Sequence, residues 1–529
     1  MRGRFIVSLF LLFCGFVFIN RLSAGTRDTD RVSVGRLEFA EIPPVPTPQL
    51  PDSVDVARLN HKAFWRASAE VVGFNLALWS FDRYIRHGEY SYISWNTIKE
   101  NFRHGFEWDN DQLLTNIFAH PYNGSLYYNA ARSNGYNFWQ SSLFTIGGSA
   151  MWEMFMEREY PSTNDIIATP VGGTALGEVL YRLSDLVIDD RTEGWERAGR
   201  EVAAFVLSPM RGLTRVVTGR AWMQRDTPGR RFGIPPVNLS FSLGARLLLF
   251  HDYKQYVKGG MTGRVSIEYG DRFAKRTVQP YDYFTFLLDF DVMKGQPLLS
   301  RLEIHGRLLS KEIYDSPKSH VSVGMYQHFD FMDSDTISPQ TKSNKLFECL
   351  VPYKLGVPAS LGAGITGRYT ESGVWHIEGN AHVNAVFLGG ILTDFYRNDE
   401  RNYNWGTGFS VKGGASCFNR PLGLNMGANI RFYKIYTLKG CDLDYLEYPD
   451  LLEPNRQGDK CNTGFFTLNF HCNYRLWHNL YATFNLDWYK RRSHYLELNL
   501  KDANEYYLAS SPIFKSNQLG LKMMLTYNL

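Results

Sequence analysis

Four ionisable side chains, His120, Glu153, Asp165 and Glu178, stand among apolar, small or aromatic neighbours in the first half of this 529-residue chain. Groups of this kind, if buried together, change their proton affinity and can do acid–base work. Ser149 adds a hydroxyl on an aromatic-rich segment. If His120 reached it, the two would make a nucleophile and its base, as in outer-membrane lipid hydrolases. The run Gly147-Gly148-Ser149-Ala150-Met151 is not the G-x-S-x-G of a nucleophile elbow. No H-E-x-x-H or similar spacing occurs, so no metal and no cofactor is expected. The plainer reading is structural: Ser149 a small packing residue, Asp165 a helix cap, and Glu153 and Glu178 partners of Arg132 or Arg182.

The elements that must position these residues read mainly as helix, over residues 56–228. Ala67, Val71, Phe74, Leu78 and Phe81 recur at spacings of four and three, the stripe of an amphipathic helix. Phe138–Met156 is a second helix, polar only at Gln140, Ser141, Ser142, Thr145, Ser149 and Glu153. A polar seam that narrow predicts a helix buried in the centre of the domain or touching lipid. Pro161-Ser162-Thr163-Asn164-Asp165 reads as a helix start, and the helix after it carries Gly172, Gly173 and Gly177. Together with Gly147 and Gly148, these small residues predict close packing of helices 138–156 and 165–183 on each other. Thr192–Leu207 is a further helix, which Ser208-Pro209 is expected to stop.

From Val237 onward the period changes to two. Val237, Leu239, Phe241, Leu243, Ala245, Leu247 and Leu249 alternate with a mostly polar set, and the pattern recurs to Leu529. Thirteen such stretches can be counted, most of ten to thirteen residues. Lipid-spanning strands need ~9–11 residues and soluble strands run to ~5–6. The stretches therefore predict a transmembrane antiparallel β-barrel over 237–529, against a soluble sandwich as the alternative. Single-chain bacterial barrels have even strand numbers, so one stretch is miscounted, around Tyr353 or 492–500. Twelve strands are expected, with fourteen the alternative. Residues 419–423 and 477–478 read as periplasmic turns, and 389–402, 437–463 and 490–516 as external loops. Tyr281, Tyr283, Tyr403, Trp405, Trp488 and Tyr489 read as girdles at the membrane interfaces. Arg301, Glu303, His305 and Arg307 would face the lumen, as ion pairs that plug it rather than as a transport site.

Composition agrees with this class. Aromatics make up 15% of the chain and charged residues 21%, which excludes a disordered chain. A net charge of +4 with no basic block gives no nucleic-acid footprint. Mean hydropathy of -0.28 excludes a polytopic helical membrane protein but not a barrel. Met1–Arg4, the apolar run Phe5–Ile19 and Leu22-Ser23-Ala24 read as a secretory signal over 1–24, too short for a membrane anchor. Pro43, Pro44, Pro46, Pro48 and Pro51 mark an extended linker over 25–55. Cys349, Cys417 and Cys472 share register with apolar neighbours and are expected to face lipid, and Cys441 and Cys461 lie in one polar stretch where a disulfide would close a loop.

Several motifs in order are distinctive. They are His120-Pro121-Tyr122-Asn123-Gly124, Ala131-Arg132-Ser133-Asn134-Gly135, Gly148-Ser149-Ala150-Met151-Trp152-Glu153, Tyr160-Pro161-Ser162-Thr163-Asn164-Asp165 and Thr169-Pro170-Val171-Gly172-Gly173. Over about residues 90–200 the chain resembles the family called domain of unknown function 3943, seen in envelope proteins of Gram-negative Bacteroidota. The resemblance implies an outer-membrane location and carries no activity or catalytic residues. The last strand, with Tyr527 two residues before Leu529, resembles the signal read by the outer-membrane assembly machinery, though Phe is the usual final residue.

The sequence thus predicts an α+β chain: a mainly helical domain on the periplasmic side, then an outer-membrane barrel in contact with membrane lipid, with no nucleic-acid partner. Its role is read as envelope structure or passage of a small solute. The alternative is an integral enzyme acting on lipid or lipopolysaccharide through His120, Ser149, Glu153 and Asp165.

Overall fold

The alternation and the helical stripes resolve into two kinds of element in a computed structural model. It describes residues 59–109, 111–250, 256–334, 351–371, 374–394, 402–441, 457–495 and 513–529. The signal segment, nearly all of the linker and Cys349 lie outside these residues, as does the side chain of Cys441. The helices are α1 (Phe64–Phe81), α2 (Trp95–His104), α3 (His120–Ser133), α4 (Phe138–Phe155), α5 (Asp165–Val187), α6 (Gly194–Leu207) and α7 (Pro209–Val217).

The strands are β1 (Val237–Phe250), β2 (Tyr256–Tyr269), β3 (Phe284–Val292), β4 (Leu299–Asp315), β5 (Ser319–Ser334), β6 (Tyr353–Glu371) and β7 (Trp375–Leu392). They continue with β8 (Tyr403–Asn419), β9 (Leu424–Thr437), β10 (Gly440–Cys441), β11 (Gln457–Asp459), β12 (Cys461–Trp477), β13 (Leu480–Tyr495) and β14 (Ile513–Asn528). Twelve of these close an antiparallel barrel in chain order, with β14 pairing back to β1, while β10 and β11 pair only with each other. The stretches 346–357 and 360–370, read as two strands, meet in the single strand β6, which starts at Tyr353; residues 346–350 lie outside the described ones. Pro358 has no N–H to give. It sits where β6 loses register with both β5 and β7, between Val357 and Ser360, the bulge position that a sheet allows a proline.

The chain divides into two compact units. Among the described residues, the smaller holds 59–71, 129–141 and 180–235. In it Arg215 bonds Asp190 and Glu201 at 2.6 and 2.7 Å, and Arg197 donates to the carbonyls of Asp189, Arg220 and Ala221, tying α6 and α7 to the segments around them. α6 stops at Leu207 as expected, with Ser208 out of helical conformation, and Pro209 begins a new helix, α7, where a residue without an N–H costs nothing.

The larger unit holds residues 72–128, 142–179 and 236–529, so the barrel and part of the helical sequence form one body. Successive side chains of a strand face opposite sides of the sheet. Arg301, Glu303, His305 and Arg307 share one parity of β4 and face the lumen, where Glu303 meets Arg431 of β9 at 2.9 Å and His305 meets Asp330 of β5 at 3.3 Å. Leu302 and Ile304 therefore face outward, yet they are 2% and 0% exposed. What covers this side of the wall is helix. A Cβ on Gly172 of α5 would lie 3.0 Å from Phe329 of β5, and Gln327 donates to the Val171 carbonyl at 2.9 Å. A Cβ on Gly356 of β6 would strike Ile117 at 2.5 Å, and one on Gly390 of β7 would meet Leu113 at 2.9 Å. α5 and the segment around Leu113 and Ile117 thus lie against the outer wall, and this part of the helical sequence forms one body with the barrel.

Elsewhere the outer parity is open and apolar, as at Ile365, Val383, Phe387, Phe409 and Val411. Cys417 and Cys472 stand in the same outer row, each paired with Met426 of β9. Tyr281, Tyr283, Tyr403, Trp405 and Tyr489 are buried and form no girdle. Tyr281, for instance, folds over Gly306 and donates to Gln327 at 3.0 Å. Exposed aromatics near the strand ends are instead Tyr314, Tyr369, Trp375, Tyr474 and Trp477 at the short-turn end and Tyr436 at the other.

The expected contact of α4 with α5 through glycine is also different. α3 is the common partner. Gly173 of α5 comes so near α3 that a Cβ would lie 2.6 Å from Gly124, and Gly177 packs on Tyr128. Gly148 of α4 packs on Tyr127 of α3, while Gly147 faces open space. Gly173→Val should therefore force α3 and α5 apart, cost ~1–3 kcal/mol or more, and sharply lower the yield of folded protein on a heat-modifiability gel. Gly147→Ala should be neutral or stabilising by up to ~1 kcal/mol. Equal yields for the two variants would refute this packing.

Candidate functional site

The ends of three helices and the segment 107–116 gather the polar residues of the larger unit. Segment and helix are joined by backbone: Glu107 N–H donates to the Pro161 carbonyl and Thr163 N–H to that of Glu107. Ser162 Oγ accepts the N–H of Asp165 at 3.2 Å and so caps the start of α5. Asn164, fully buried, is the hub. Its amide donates to Asp109 at 2.9 Å, to Asn116 at 3.2 Å and to Asp165 at 3.1 Å, and its oxygen accepts the Asp109 N–H. Asn116 donates onward to Asp109 at 3.0 Å and to the hydroxyl of Tyr403 at 2.6 Å. Tyr403 in turn donates to the Asp111 carbonyl at 2.7 Å, which fixes the cluster to the outer face of β8.

Of the sequence candidates, His120, Ser149, Glu153 and Asp165 all belong to this cluster. His120 Nε2 lies 3.7 Å from Asp111 and 3.8 Å from Asp165. Glu153, in the last turn of α4, accepts the Ser162 N–H at 2.8 Å; its partner is backbone, not Arg132 or Arg182. Ser149 Oγ donates to the Asp165 carbonyl at 3.4 Å. Glu178 lies apart, accepting the Tyr128 hydroxyl at 2.7 Å. Asp165 is not its own helix cap, since Ser162 takes that place. Cys461 sits buried beside Thr437 at 3.3 Å, and its expected bridge to Cys441 falls on a side chain outside the described residues.

The electrostatics follow from burial. Burial opposes charge on His120, but Asp165, Asp111, Asp109 and Glu153 outweigh it and hold the imidazole protonated well above its ordinary 6.5. Burial pushes Glu153 up to about 8, aided by Glu157, and pushes Glu157 itself up to about 7. Burial and the neighbouring Asp109 likewise hold Asp165 well above the usual aspartate value. The cluster thus sets an imidazole that holds its proton tightly among carboxyls whose burial opposes their charge. Ser149 gives its hydroxyl to the Asp165 carbonyl and not to His120, so the two do not form a nucleophile–base pair in this structure. Donor atoms of Asp109, Asp111 and His120 lie within 4.8 Å of one another, a set that fits a divalent cation only if the imidazole first gives up its proton.

Sequence reasoning missed Asp109, Asp111, Asn116, Glu157, Asn164 as hub, and Tyr403. Trp108-Asp109-Asn110-Asp111 was the one local signal. The partnership of Asn116 with Tyr403, 287 residues away, leaves none.

Residues 105–210 match the family described as Domain of unknown function (DUF3943). No curated protein matches the chain. Among solved structures, the chain is similar to the NanC porin, at 8% identity over 54% of this chain and 100% of that one, with a TM-score of 0.26. It is also similar to OmpT, an outer membrane protein of Vibrio cholerae, at 8% identity over 56% and 99% with a TM-score of 0.22. The toluene transporter TodX of Pseudomonas putida matches at 5% identity over 56% and 90%, with a TM-score of 0.21. At these values no activity is taken from them.

The proton affinities make stability depend on pH. Glu153 binds its proton more tightly folded than unfolded, so the stability it lends is present below about 4.5 and is lost as pH rises toward about 8. His120 acts in the same direction, its contribution lasting until pH passes its raised value. The helical circular-dichroism signal should therefore melt later at pH 5.5 than at pH 8.5, by ~1–3 kcal/mol. Glu153→Gln keeps an oxygen for the Ser162 N–H and stays neutral, and should remove much of that slope. An unchanged slope in this variant would refute the assignment.

Proposed function

We propose that this chain is an outer-membrane β-barrel of the sealed kind, an envelope structural protein that carries a helical layer on its wall rather than an open pore. The observation that carries this reading is the Glu303–Arg431 pair. β4 and β9 are five strands apart in a ring of twelve, where six is the greatest separation, yet their side chains meet at 2.9 Å. Tyr353 of β6 and Tyr489 of β13 are also five apart and stack at 4.4 Å between ring centroids. Leu355, Val357, Tyr433, Ile435 and Phe465 complete a dry plug around them. Lys412–Asp330 at 2.5 Å and Lys522–Asp289 at 2.8 Å fill the space between with paired charge.

Membrane residence is supported by the closed sheet, which leaves no unpaired strand edge, by the open apolar outer row, and by the aromatics near the short turns. Membrane lipid is then the partner of that outer row. Assembly through β14, whose outer row includes Met523, Leu525 and Tyr527, belongs to the same reading. Passage of solutes is left little room: the lumenal cavity beside His305, His382, Lys412 and Arg431 holds about 180 Å³. The lipid-enzyme alternative loses support because Ser149 is bonded to a backbone carbonyl and not to His120.

Planar-bilayer recording tests the proposal. Wild-type protein, shown folded by its heat-modifiable migration, should be electrically silent. Removing both partners, Glu303→Ala with Arg431→Ala, should raise the frequency of conducting events at least several-fold. Porin-like steady conductance of the wild type would overturn it.

A further inference from the structure

Two helices of the larger unit, α1 and α4, are inside out. In α4, Thr145 and Ser149 are buried while Leu143 and Ile146 are 67% and 48% exposed. In α1, Asn75 is buried, donating to the Gly148 carbonyl at 3.1 Å and accepting from Tyr127, while Val72 and Leu76 on the same helix face outward. A water-facing helix carries its polar residues on the opposite side from its core; here the polar side is the core side. The layering explains why. α5 rests on the barrel wall through Val171 and Gly172, and α3 packs on α5 through Pro121 and Gly124. α1 and α4 rest on α3 in turn, through Asn75, Gly148 and Tyr127. Their outer face is apolar and open, as is the uncovered wall at Val383, Phe387 and Phe409.

We infer that α1 and α4 lie in the same hydrocarbon layer as the barrel, with acyl chains of the membrane covering Val72, Leu76, Leu143 and Ile146. The inference rests on the barrel reading. No helix among the described residues is long and apolar enough to cross a membrane on its own. None needs to, because polar side chains that α1 and α4 turn inward find partners on neighbouring helices: Asn75 on α3 and α4, and Ser142 and Ser149 on α5. The glycine-to-glycine approach of α3 and α5 is the kind of contact that holds helices together where burial from water gives no drive. The charged cluster around His120 gathers at the helix ends, level with Tyr403 at the start of β8, where the hydrocarbon stops.

Nitroxide labels placed singly at residues 76, 143 and 146, in full-length protein with its native cysteines replaced by alanine, test this in phosphatidylcholine–phosphatidylglycerol vesicles. Labels at Val383 and Val411 on the open wall serve as controls, and heat-modifiable migration checks folding. Helix labels should match the controls, colliding readily with oxygen and several-fold less with a soluble nickel chelate. Nickel-accessible helix labels beside lipid-exposed controls would overturn this inference alone. Nickel access at all sites would overturn the barrel reading as well. Spin–spin broadening at residues 143 and 146 would assign the face to a second copy of the chain and overturn acyl-chain cover.

Discussion

A closed antiparallel sheet has two faces and no edge, and every second side chain must suit one face or the other. That constraint organises this protein. The inner parity is crowded with Arg301, Glu303, Asp330, Lys412, Arg431 and Lys522, whose charges meet across the lumen. Such buried pairs add little net stability compared with apolar packing. Breaking one, however, strands its partner at a cost of ~3–5 kcal/mol. They therefore fix the parity firmly, and with it the apolar identity of the outside.

The outer face then needs cover that is itself apolar. Over most strands the open row of Ile365, Val383 and Val411 suits lipid. Over the upper parts of β4–β8, helices take that place, set down through Gly172, Gly356 and Gly390, where an absent Cβ lets backbone and side chain close up. The polar groups these helices bring with them converge on Asn164. Its three donated bonds, and the burial of His120, Glu153 and Asp165, make a proton-rich cluster whose plainest work is to tie α3, α4 and α5 to Tyr403.

Much of this was legible in the residues. Period-two alternation located the barrel, and twelve strands followed once one stretch was merged across Pro358. The narrow polar seam of α4 marked the face that turns inward, since Ser141, Thr145, Ser149 and Glu153 are its buried polar positions. What alternation cannot carry is a neighbour. Tyr403 and Trp405 have the outer parity of a girdle residue, and only the helix laid over them makes them buried. Gly173 advertised a close approach but not its partner, since small-residue spacing describes one surface only. His120, Ser149, Glu153 and Asp165 were legible as a set of ionisable and small polar groups in apolar company. The assembly of Asp109, Asn116 and Asn164 around them depends on a loop path that no spacing records.

The central claim is that the helical segment lies on the outside of a filled barrel. Its most direct test is a disulfide between Ile117→Cys and Gly356→Cys in intact cells, in a chain otherwise free of cysteine. A Cβ at residue 356 would lie 2.5 Å from the Ile117 side chain, so the account predicts efficient bridging. It predicts none between Ile117→Cys and Gly364→Cys, because residue 364 faces His382 in the lumen. Bridging to residue 364 and not to 356 would contradict it.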